Sequence, residues 1–517
     1  MSDNRSKDTS AKAASTPVTR EFDVVASPTH QDGDIEMAVP AAFQAPSKSD
    51  DPFLVTFDQP FDAENPKDWS ATKKWTVTDV LSATGFNRIM VSTIMAPAIT
   101  TIAQELHMTS AESVMALSIY LLATAFGPLV AAPLAEMYGR KPVLHVSNVW
   151  FLIFNIVCGF AKTKGTLIAA RFLAGFGASA IYALAGGVLG DVWRPEQRGK
   201  TLAMYLLIPL LGAAVGPIIG GFMAERTTWR WMFWSTSAFQ AVMVVASYVA
   251  FSETSASVIL RHKAAKLRKE TGDQRYHTAL DTLEEGRTAA GVIGRSLSRP
   301  LRLLAFHPII QVVSLLSAFN YGLLYIVLST FASLWTSGYH QRVDISGLHY
   351  IAVAFGEIAG SQVGGNIMDH VSARIRRRKG GETQPEYHLP LILPSFFIAS
   401  AGLLLYGWAA QAHLHWIVVD IGVFVTCFGM QIEGQPISAY VIDAYPDYAS
   451  SATAASQFVR SLTAFSFPLF MPMMYEAIGY GYGNTILAIA GLLIGVPAPL
   501  LLWRYGARLR VKAHMSY

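Results

Sequence analysis

The sequence predicts an all-α membrane protein in which twelve transmembrane helices form two pseudo-symmetric six-helix bundles. Three observations lead to this fold class. Apolar residues make up 52% of the 517 residues and charged residues only 15%, whereas a soluble domain carries about 25% charged residues. Apolar stretches of about 20 residues, long enough to cross a hydrocarbon layer of about 30 Å, recur along the chain. One long polar segment divides these stretches into two sets of six.

The apolar stretches define the order of the elements. The predicted spans are 76–98, 111–133, 142–161, 166–190, 201–224, 231–251, 308–331, 346–367, 390–410, 415–438, 451–474 and 484–504. The predicted domains are a disordered cytoplasmic N-terminal tail (1–73), an N-terminal six-helix bundle (74–251), a cytoplasmic connecting loop (252–303), a C-terminal six-helix bundle (304–506) and a cytoplasmic C-terminal tail (507–517). Two sets of six spans around a long loop indicate two related halves.

The distribution of lysine and arginine predicts the orientation. With the N-terminal tail in the cytoplasm, the cytoplasmic segments after spans 2, 4, 6, 8 and 12 hold 24 Lys and Arg residues, counting Arg504 at the end of span 12, and the outer segments hold five. Cytoplasmic loops of membrane proteins carry such an excess of cations. Both termini are therefore expected in the cytoplasm. The clusters at 261–269 and 374–379 either serve this topology alone or also bind anionic lipid.

Several function classes are excluded by what the sequence lacks. It contains no GxxxxGK[ST] phosphate-binding loop, no GxSxG and no HExxH motif, so neither an enzyme nor an ATP-driven pump is predicted. Cys158 and Cys427 lie in apolar runs without CxxC or histidine ligands nearby and are expected to be packed thiols. We predict no cofactor, no metal and no nucleic-acid partner.

Three arginines lie inside predicted spans: Arg88, Arg171 and Arg460. A charge at the centre of a membrane costs at least about 2.5–3.5 kcal/mol, so each should face a cavity or a partner. Arg88 lies near the middle of span 1 beside Asn87 and Ser92, and its fixed charge and planar fork suit a carboxylate ligand. It either binds substrate in a central cavity or pairs with a buried acid. Arg460 is expected to pack and form hydrogen bonds, with substrate binding as the alternative.

Two acids, Glu357 in span 8 and Glu433 in span 10, lie far from the ends of their spans. A low dielectric favours the neutral form of a carboxyl group, which can then take up a proton at one face and release it at the other. We expect each to titrate during a transport cycle or to pair with an arginine. Asp420, near a span end, is expected in solvent. The polar and aromatic residues predicted to line the cavity are Tyr182, Tyr321, Tyr325 and Gln435.

A short hairpin is predicted by APLAEMYGRKPVL (132–144), between spans 2 and 3. Gly139 allows a tight turn, Arg140 and Lys141 follow it, and Glu136 precedes it by one turn. Because Glu136 could accept a hydrogen bond from Arg140 or from a neighbouring helix end, we expect a loop that latches and releases.

Span 5 contains GAAVGPIIGG (212–221). An interior glycine costs a helix about 1 kcal/mol and a proline about 3 kcal/mol, but small residues let helices approach closely in lipid, where no hydrophobic force joins them. Gly212, Gly216 and Gly220 form one stripe, followed by Gly221, and Pro217 adds a kink. We expect this stripe to make a movable contact between the halves. Its expected partner is span 8, through Gly356, Gly360, Gly364 and Gly365; static packing is the alternative.

These motifs, in this order, resemble the major facilitator superfamily, and specifically its twelve-span fungal drug:proton antiporter (efflux) branch. Segment 132–144 is similar to the family's loop motif, Arg171 to its span-4 arginine, and 212–221 to the antiporter signature. The resemblance extends from about residue 64 to the C-terminus. The loop motif departs from the family in Ala132 and Glu136, where the family prefers Gly and Asp.

The resemblance implies a secondary active transporter that exports a small organic molecule by proton antiport with alternating access. Implied substrates are an organic acid such as an itaconate-like dicarboxylate, a secondary metabolite or a drug, the last giving multidrug resistance. It also implies that Arg171 takes part in proton coupling or holds neighbouring helices together. A proton-coupled uptake symporter and a non-transporting membrane receptor remain alternatives. The expected partners are the lipid bilayer, substrate and protons, for a monomer in the plasma membrane or the vacuolar membrane.

Overall fold

A computed structural model describes residues 51–279, 281, 289–379, 384–445 and 449–514. Its main helices are α1 Ala71–Thr93, α2 Ser110–Tyr138, α3 Arg140–Gly159, α4 Lys164–Val192, α5 Pro195–Arg226, α6 Arg230–Ala250, α7 Ala256–Thr271, α8 Ala289–Phe306, α9 Pro308–Ser333, α10 Tyr350–Arg378, α11 Ile392–Gln411, α12 Trp416–Ala444, α13 Ala449–Gly495 and α14 Pro497–His514. Shorter helices include Ile99–Glu105 and Val343–Leu348. The predicted all-α fold is confirmed.

Ten helical stretches of the described chain are long and apolar enough to cross a membrane. The difference from the twelve predicted spans has two causes. The stretch Ser451–Arg510 counts once, although the backbone leaves helical geometry at Gly479, where φ is 79°. Helix α10 does not qualify because it carries polar side chains such as Glu357, Asn366 and Asp369. Both spans are therefore present as helices: one is merged into a longer apolar stretch, and only α10 has a weak apolar signal.

The two bundles consist of α1–α6 and α9–α14, and their packing is related by an internal repeat. In the first bundle α1 packs on α5, α2 on α4, and α3 on α4 and α6. In the second bundle α9 packs on α13, α10 on α12, and α11 on α12 and α13. Each pair in one bundle has its equivalent in the other, which is the arrangement expected of two parallel repeats.

The bundles contact each other through α2 with α13 and through α5 with α10. We call the end of the molecule where α1 begins and α6 ends the connector end, and the opposite end the far end. At the far end one hydrophobic cluster includes residues of both bundles, such as Ile94 and Phe331. Towards the connector end the cluster around Val77 contains only first-bundle residues, and the cluster around Ile310 only second-bundle residues. Buried apolar packing therefore joins the bundles at the far end.

The end of the predicted N-terminal tail is ordered against the connector. Val55 packs on Leu260 of α7, and Nζ of Lys263 lies 3.1 Å from Oδ2 of Asp58 and 2.9 Å from Oδ2 of Asp62. The predicted disorder is therefore wrong for residues 51–70, because this segment buries apolar and charged side chains on α7. Residues 1–50 lie outside the described chain. Helices α7 and α8 occupy much of the segment predicted as a loop.

Candidate functional site

A cavity of about 310 Å³ lies between the two bundles. Its wall extends from Leu328 of α9, near the far end, to Ser438 of α12, which lies within two turns of the connector end of that helix. The first bundle contributes Ile89, Tyr182, Leu206, Leu210 and Ala213. The polar residues of the second bundle in this wall are Ser317, Asn320, Tyr321, Tyr325, Glu357, Ser361, Gln431, Gln435, Ser438, Gln457 and Arg460.

The charge of this cavity comes from one bundle only. Both charged wall residues, Arg460 and Glu357, belong to the second bundle, as do all the amide side chains. The first bundle offers an apolar wall with a single hydroxyl, that of Tyr182. A molecule bound here would therefore place its polar groups against the second bundle and its apolar part against the first.

Arg460 of α13 occupies the wall with an incompletely bonded guanidinium. Its Cζ lies 4.3 Å from the centre of the Tyr321 ring, a cation–π geometry that holds the guanidinium without neutralising it. Its Nε is buried and has no hydrogen-bond partner among the described residues. Arg460 therefore packs on Tyr321 and also places a cationic donor in the wall of the cavity.

Glu357 of α10 lines the same cavity and is only 2% exposed. Its carboxyl group is hydrogen-bonded to the Gln431 side chain, whereas its Oε2 has no partner in the described chain. A buried carboxyl group beside the cavity, held by a neutral amide, can change its protonation without breaking an ion pair.

Glu433 of α12 lies outside the wall of the cavity. It is 1% exposed and hydrogen-bonded to Asn320, and its Oε1 has no partner among the described residues. The two predicted acids are therefore in different environments. In the described chain neither acid forms an ion pair with an arginine, so the alternative of structural ion pairs is wrong for this conformation.

The predicted aromatic wall is present. Tyr182, Tyr321, Tyr325 and Gln435 all line the cavity. The rings of Tyr321 and Tyr325 meet edge to face with centroids 5.2 Å apart, and Gln435 Nε2 donates to Ser361 Oγ over 3.3 Å.

Arg88 and Asn87 lie inside the first bundle, away from the cavity. Arg88 is 1% exposed; its Nη2 donates to Asn148 Oδ1, and its guanidinium lies 4.1 Å from the centre of the Phe151 ring. Asn87 Nδ2 donates to Gln240 Oε1 over 2.9 Å. The prediction that Arg88 and Asn87 bind substrate in the cavity is not supported, because both side chains point towards α3 and α6.

Ser92 is also separate from the central cavity. It lines a small pocket nearer the far end with Thr93 and Ser118 of the first bundle and Ser329 of the second. Tyr325 belongs to the walls of both spaces. Ser92 is therefore placed beyond the cavity, on the side where the bundles meet.

Arg171 of α4 is a structural link within the first bundle. It is fully buried, and its guanidinium donates to four main-chain carbonyls, which are those of Val91, Ser92, Ala116 and Leu117. These bonds tie α4 to α1 and α2. The structure gives Arg171 no contact with the cavity and therefore no direct support for the predicted role in proton coupling.

The hairpin between α2 and α3 is bonded to Asp191 and Glu253, not to the predicted Glu136. Gly139 has φ of 100°, a conformation that disfavours a side chain. Arg140 Nε lies 3.3 Å from Asp191 Oδ2, and the Glu253 carboxylate accepts the Arg140 and Lys141 N–H groups over 2.9 and 3.0 Å. Glu136 is exposed, so the prediction that it bonds Arg140 or a helix end is wrong.

The glycine stripe of α5 packs inside its own bundle. A Cβ on Gly212 would lie 2.7 Å from the Phe86 carbonyl oxygen, and one on Gly216 would lie 2.6 Å from that of Met90. Gly220 meets the Ile94 carbonyl in the same way. The predicted contact of this stripe with span 8 is therefore wrong, because the three glycines face α1.

The glycines of span 8 also pack within their own bundle. Gly356, Gly360 and Gly364 lie against the backbone of α12. Gly221 and Pro217 of α5 face the short helix Val343–Leu348 of the second half, and other parts of α5 contact α10.

Comparisons with known proteins agree with this geometry. The Major Facilitator Superfamily profile matches residues 81–468. "Probable efflux pump mfs2" of Aspergillus flavus is 53% identical over 424 residues, which cover 82% of this chain and 100% of that protein. "Efflux pump vrtL" of Penicillium aethiopicum is 39% identical over 482 residues, covering 92% of this chain and 95% of that protein.

The fold is also similar to a solved structure. The inward-open xylose transporter XylE from E. coli superimposes with a TM-score of 0.61 at 14% identity, covering 84% of this chain and 96% of the other. At this identity the similarity supports the fold alone.

Proposed function

This chain belongs to the major facilitator superfamily and is a multi-pass membrane transporter, not an enzyme; from this premise we propose that it exports a small organic anion in exchange for protons. The main observation that supports this proposal is the position of Arg460 in the wall of the central cavity. The direction rests on the similarity to proteins named efflux pumps, which reach 53% identity. With the 24 to five distribution of cations, we assign the connector end to the cytoplasm and the far end to the outside of the plasma membrane.

The anionic substrate follows from the cavity wall. Arg460 has a donor without a protein partner and no acid in contact in the described chain. A guanidinium binds carboxylates through paired N–H groups, and Gln435 and Gln457 add neutral donors in the same wall. The apolar first-bundle wall suits the hydrocarbon part. An itaconate-like dicarboxylate, or an acidic secondary metabolite, has this combination of groups.

Glu357 and Arg460 share one cavity, and this affects the sign of proton coupling. Neutralising Glu357 removes a negative charge from the cavity and therefore strengthens the binding of an anion. Direct coupling through Glu357 thus favours binding of proton and anion together, which is the behaviour of a symporter. Antiport of an anion requires a proton that acts on the conformation instead. Proton symport for uptake is therefore the second candidate function.

Transport in inside-out vesicles with an imposed pH difference tests the proposal. We expect gradient-dependent accumulation of a radiolabelled dicarboxylate such as itaconate, lost in Arg460→Gln and kept in Arg377→Gln, a matched change of an exposed arginine outside the cavity. Accumulation of a cationic drug, without accumulation of any tested acid, would refute the anionic substrate.

The direction of the pH effect separates the two candidates. For antiport, an acidic vesicle lumen drives protons out as substrate enters and therefore increases accumulation, and an alkaline lumen abolishes it. Accumulation only when protons and acid move the same way would establish symport and overturn export.

A further inference from the structure

A histidine with two oxygen partners lies at the far end of the second bundle. His349 Nδ1 is 2.8 Å from Asp420 Oδ2, and Nε2 is 2.9 Å from Gln341 Oε1. The imidazole stacks on Trp335 with ring centroids 3.7 Å apart. The His349 and Asp420 side chains are only 8% and 16% exposed. The expectation that Asp420 is solvated is therefore wrong.

His349 lies directly after the segment that closes the far end between the bundles. The short helix Val343–Leu348 packs on α5 of the first bundle, where a Cβ on Gly347 would lie 2.6 Å from the Pro217 carbonyl oxygen. Nη2 of Arg342, just before this helix, lies 3.5 Å from Glu225 Oε1 of α5. His349 joins this closing segment to α12 through Asp420.

Each nitrogen of the His349 ring faces an oxygen atom. An imidazolium donates from both nitrogens and satisfies Asp420 and Gln341 together, whereas a neutral imidazole donates from one nitrogen only. Loss of the proton therefore breaks or reverses one of the two bonds and removes the charge that attracts the carboxylate. Histidine is the side chain that ordinarily changes charge between about pH 5 and pH 8.

The other titratable and charged groups around His349 have different partners. Asp344 is paired with Arg342 over 3.0 Å. Tyr339 and Tyr350 donate to the main-chain carbonyls of Leu414 and Leu328 over 2.8 and 2.7 Å. Of the other histidines in this region, His413 contacts Tyr339, and His415 contacts Trp416. Asp420 is the acidic group bonded to His349.

We propose that His349 and Asp420 form a proton-binding site that stabilises the closed far end of the transporter. The inference rests on the proposed function in taking the far end as the proton-rich side. After the substrate leaves, a proton bound here favours closure, and its loss favours opening. The proton thus acts on the conformation of the far end and does not compete with the anion at Arg460.

A distance measurement across the far end tests this site. Spin labels are attached to the full chain in nanodiscs through Thr228→Cys between α5 and α6 and Ser337→Cys after α9, both exposed; Cys158 and Cys427 are buried and remain unlabelled. We expect the ratio of short to long distances to increase by at least about tenfold from pH 8 to pH 5.5, the effect of a charged hydrogen bond.

His349→Gln should leave this ratio independent of pH, while His413→Gln, a matched change of an exposed histidine, should keep the wild-type response. Asp420→Asn serves as a second variant if His349→Gln does not fold, and it should also abolish the response. A pH-independent ratio in the wild type, or a full response in His349→Gln, would overturn the proton site. Proton-driven transport in the vesicle assay fails or succeeds separately, so the two proposals are tested apart.

Discussion

The two bundles use intramembrane arginine in opposite ways. In the first bundle Arg88 and Arg171 are almost fully buried and bond to neutral oxygens of neighbouring helices. In the second bundle Arg460 lies in the wall of the central cavity over a tyrosine ring, with an unbonded Nε. One residue type inside the membrane-spanning helices therefore links helices in one half and lines the central cavity in the other.

The two repeats therefore contribute different kinds of side chain to the cavity and to helix packing. The first bundle contributes an apolar wall and fixed helix contacts, while the second contributes the charged and amide groups of the cavity. Chemical specificity is thus expected to depend on second-bundle residues, and first-bundle charges are expected to affect stability.

The largest expected effect is a loss of stability in the first bundle. Arg171→Gln removes several of the bonds that tie α4 to α1 and α2 and leaves buried carbonyls unbonded, at an expected cost of about 3–5 kcal/mol. Thermal unfolding in detergent measures it. Arg460→Gln is the comparison variant and should unfold close to the wild-type temperature; equal losses in both variants would contradict the contrast.

The next effect concerns affinity. Arg460→Gln should weaken equilibrium binding of a labelled organic acid by at least about thirtyfold, because removing one member of a buried charge pair costs about 2–5 kcal/mol. Arg88→Gln should leave the dissociation constant of folded protein within about twofold, since its side chain does not reach the cavity. A larger loss in Arg88→Gln than in Arg460→Gln would reverse our assignment of the site.

An alanine in place of a glycine at a close helix contact should destabilise the two bundles to a similar extent. Gly216→Ala places a methyl group against the Met90 carbonyl, and Gly356→Ala places one against the Phe424 carbonyl, 2.6 Å away in both cases. Each is expected to destabilise by about 1–3 kcal/mol. Gly365→Ala, which has open space around the added Cβ, should be neutral in the same unfolding assay. Loss of stability there would show that helix packing alone does not set the cost.

The smallest effect lies outside both bundles, in the contact of residues 51–70 with α7. Burial by itself raises the pKa of Asp62, but hydrogen bonds from the Asp58 N–H and from Lys263 outweigh it, and the pKa lies below its ordinary value. A lowered pKa means that the stabilisation is present above the unfolded-state pKa and is lost as the pH falls through the folded-state value.

Limited proteolysis of residues 51–70 between pH 7 and pH 3 measures this loss, which should be under about 1 kcal/mol for an ion pair near the surface. Lys263→Ala should weaken the pH dependence, whereas Lys269→Ala, an exposed lysine of the same helix, should not. An unchanged pH profile in Lys263→Ala would remove the ion pair from the explanation.

Much of the site could be predicted from the sequence, but not its assignment to one bundle. Gln435 and the three tyrosines were predicted in the wall and lie there, and Glu357, which was predicted to titrate during transport, lines the same cavity. Arg460 was recognised as an intramembrane charge but expected mainly to pack and form hydrogen bonds, and Arg88 was placed in the cavity incorrectly. A few residues of helix rotation decide whether an arginine faces the cavity or a neighbouring helix, and a uniformly apolar span gives no signal of that rotation.

The glycine stripe and the far-end histidine illustrate the same limit. The four-residue spacing of Gly212, Gly216 and Gly220 predicts a close contact, but both α1 and α10 were available as partners, and only the packing selects α1. Asp420 and His349 are 71 residues apart, and nothing in their local sequence indicates that they meet.

The sequence alone determined that this protein lies in a lipid bilayer, and it determined the twelve membrane-spanning helices, the two related halves and the family. These features depend on the composition and order of apolar residues and on local motifs. The tertiary structure decided which buried charges face the cavity, which helices the glycines join, and which acid bonds His349. Those features depend on the rotation and neighbours of each helix, which arise from contacts between residues far apart in the chain.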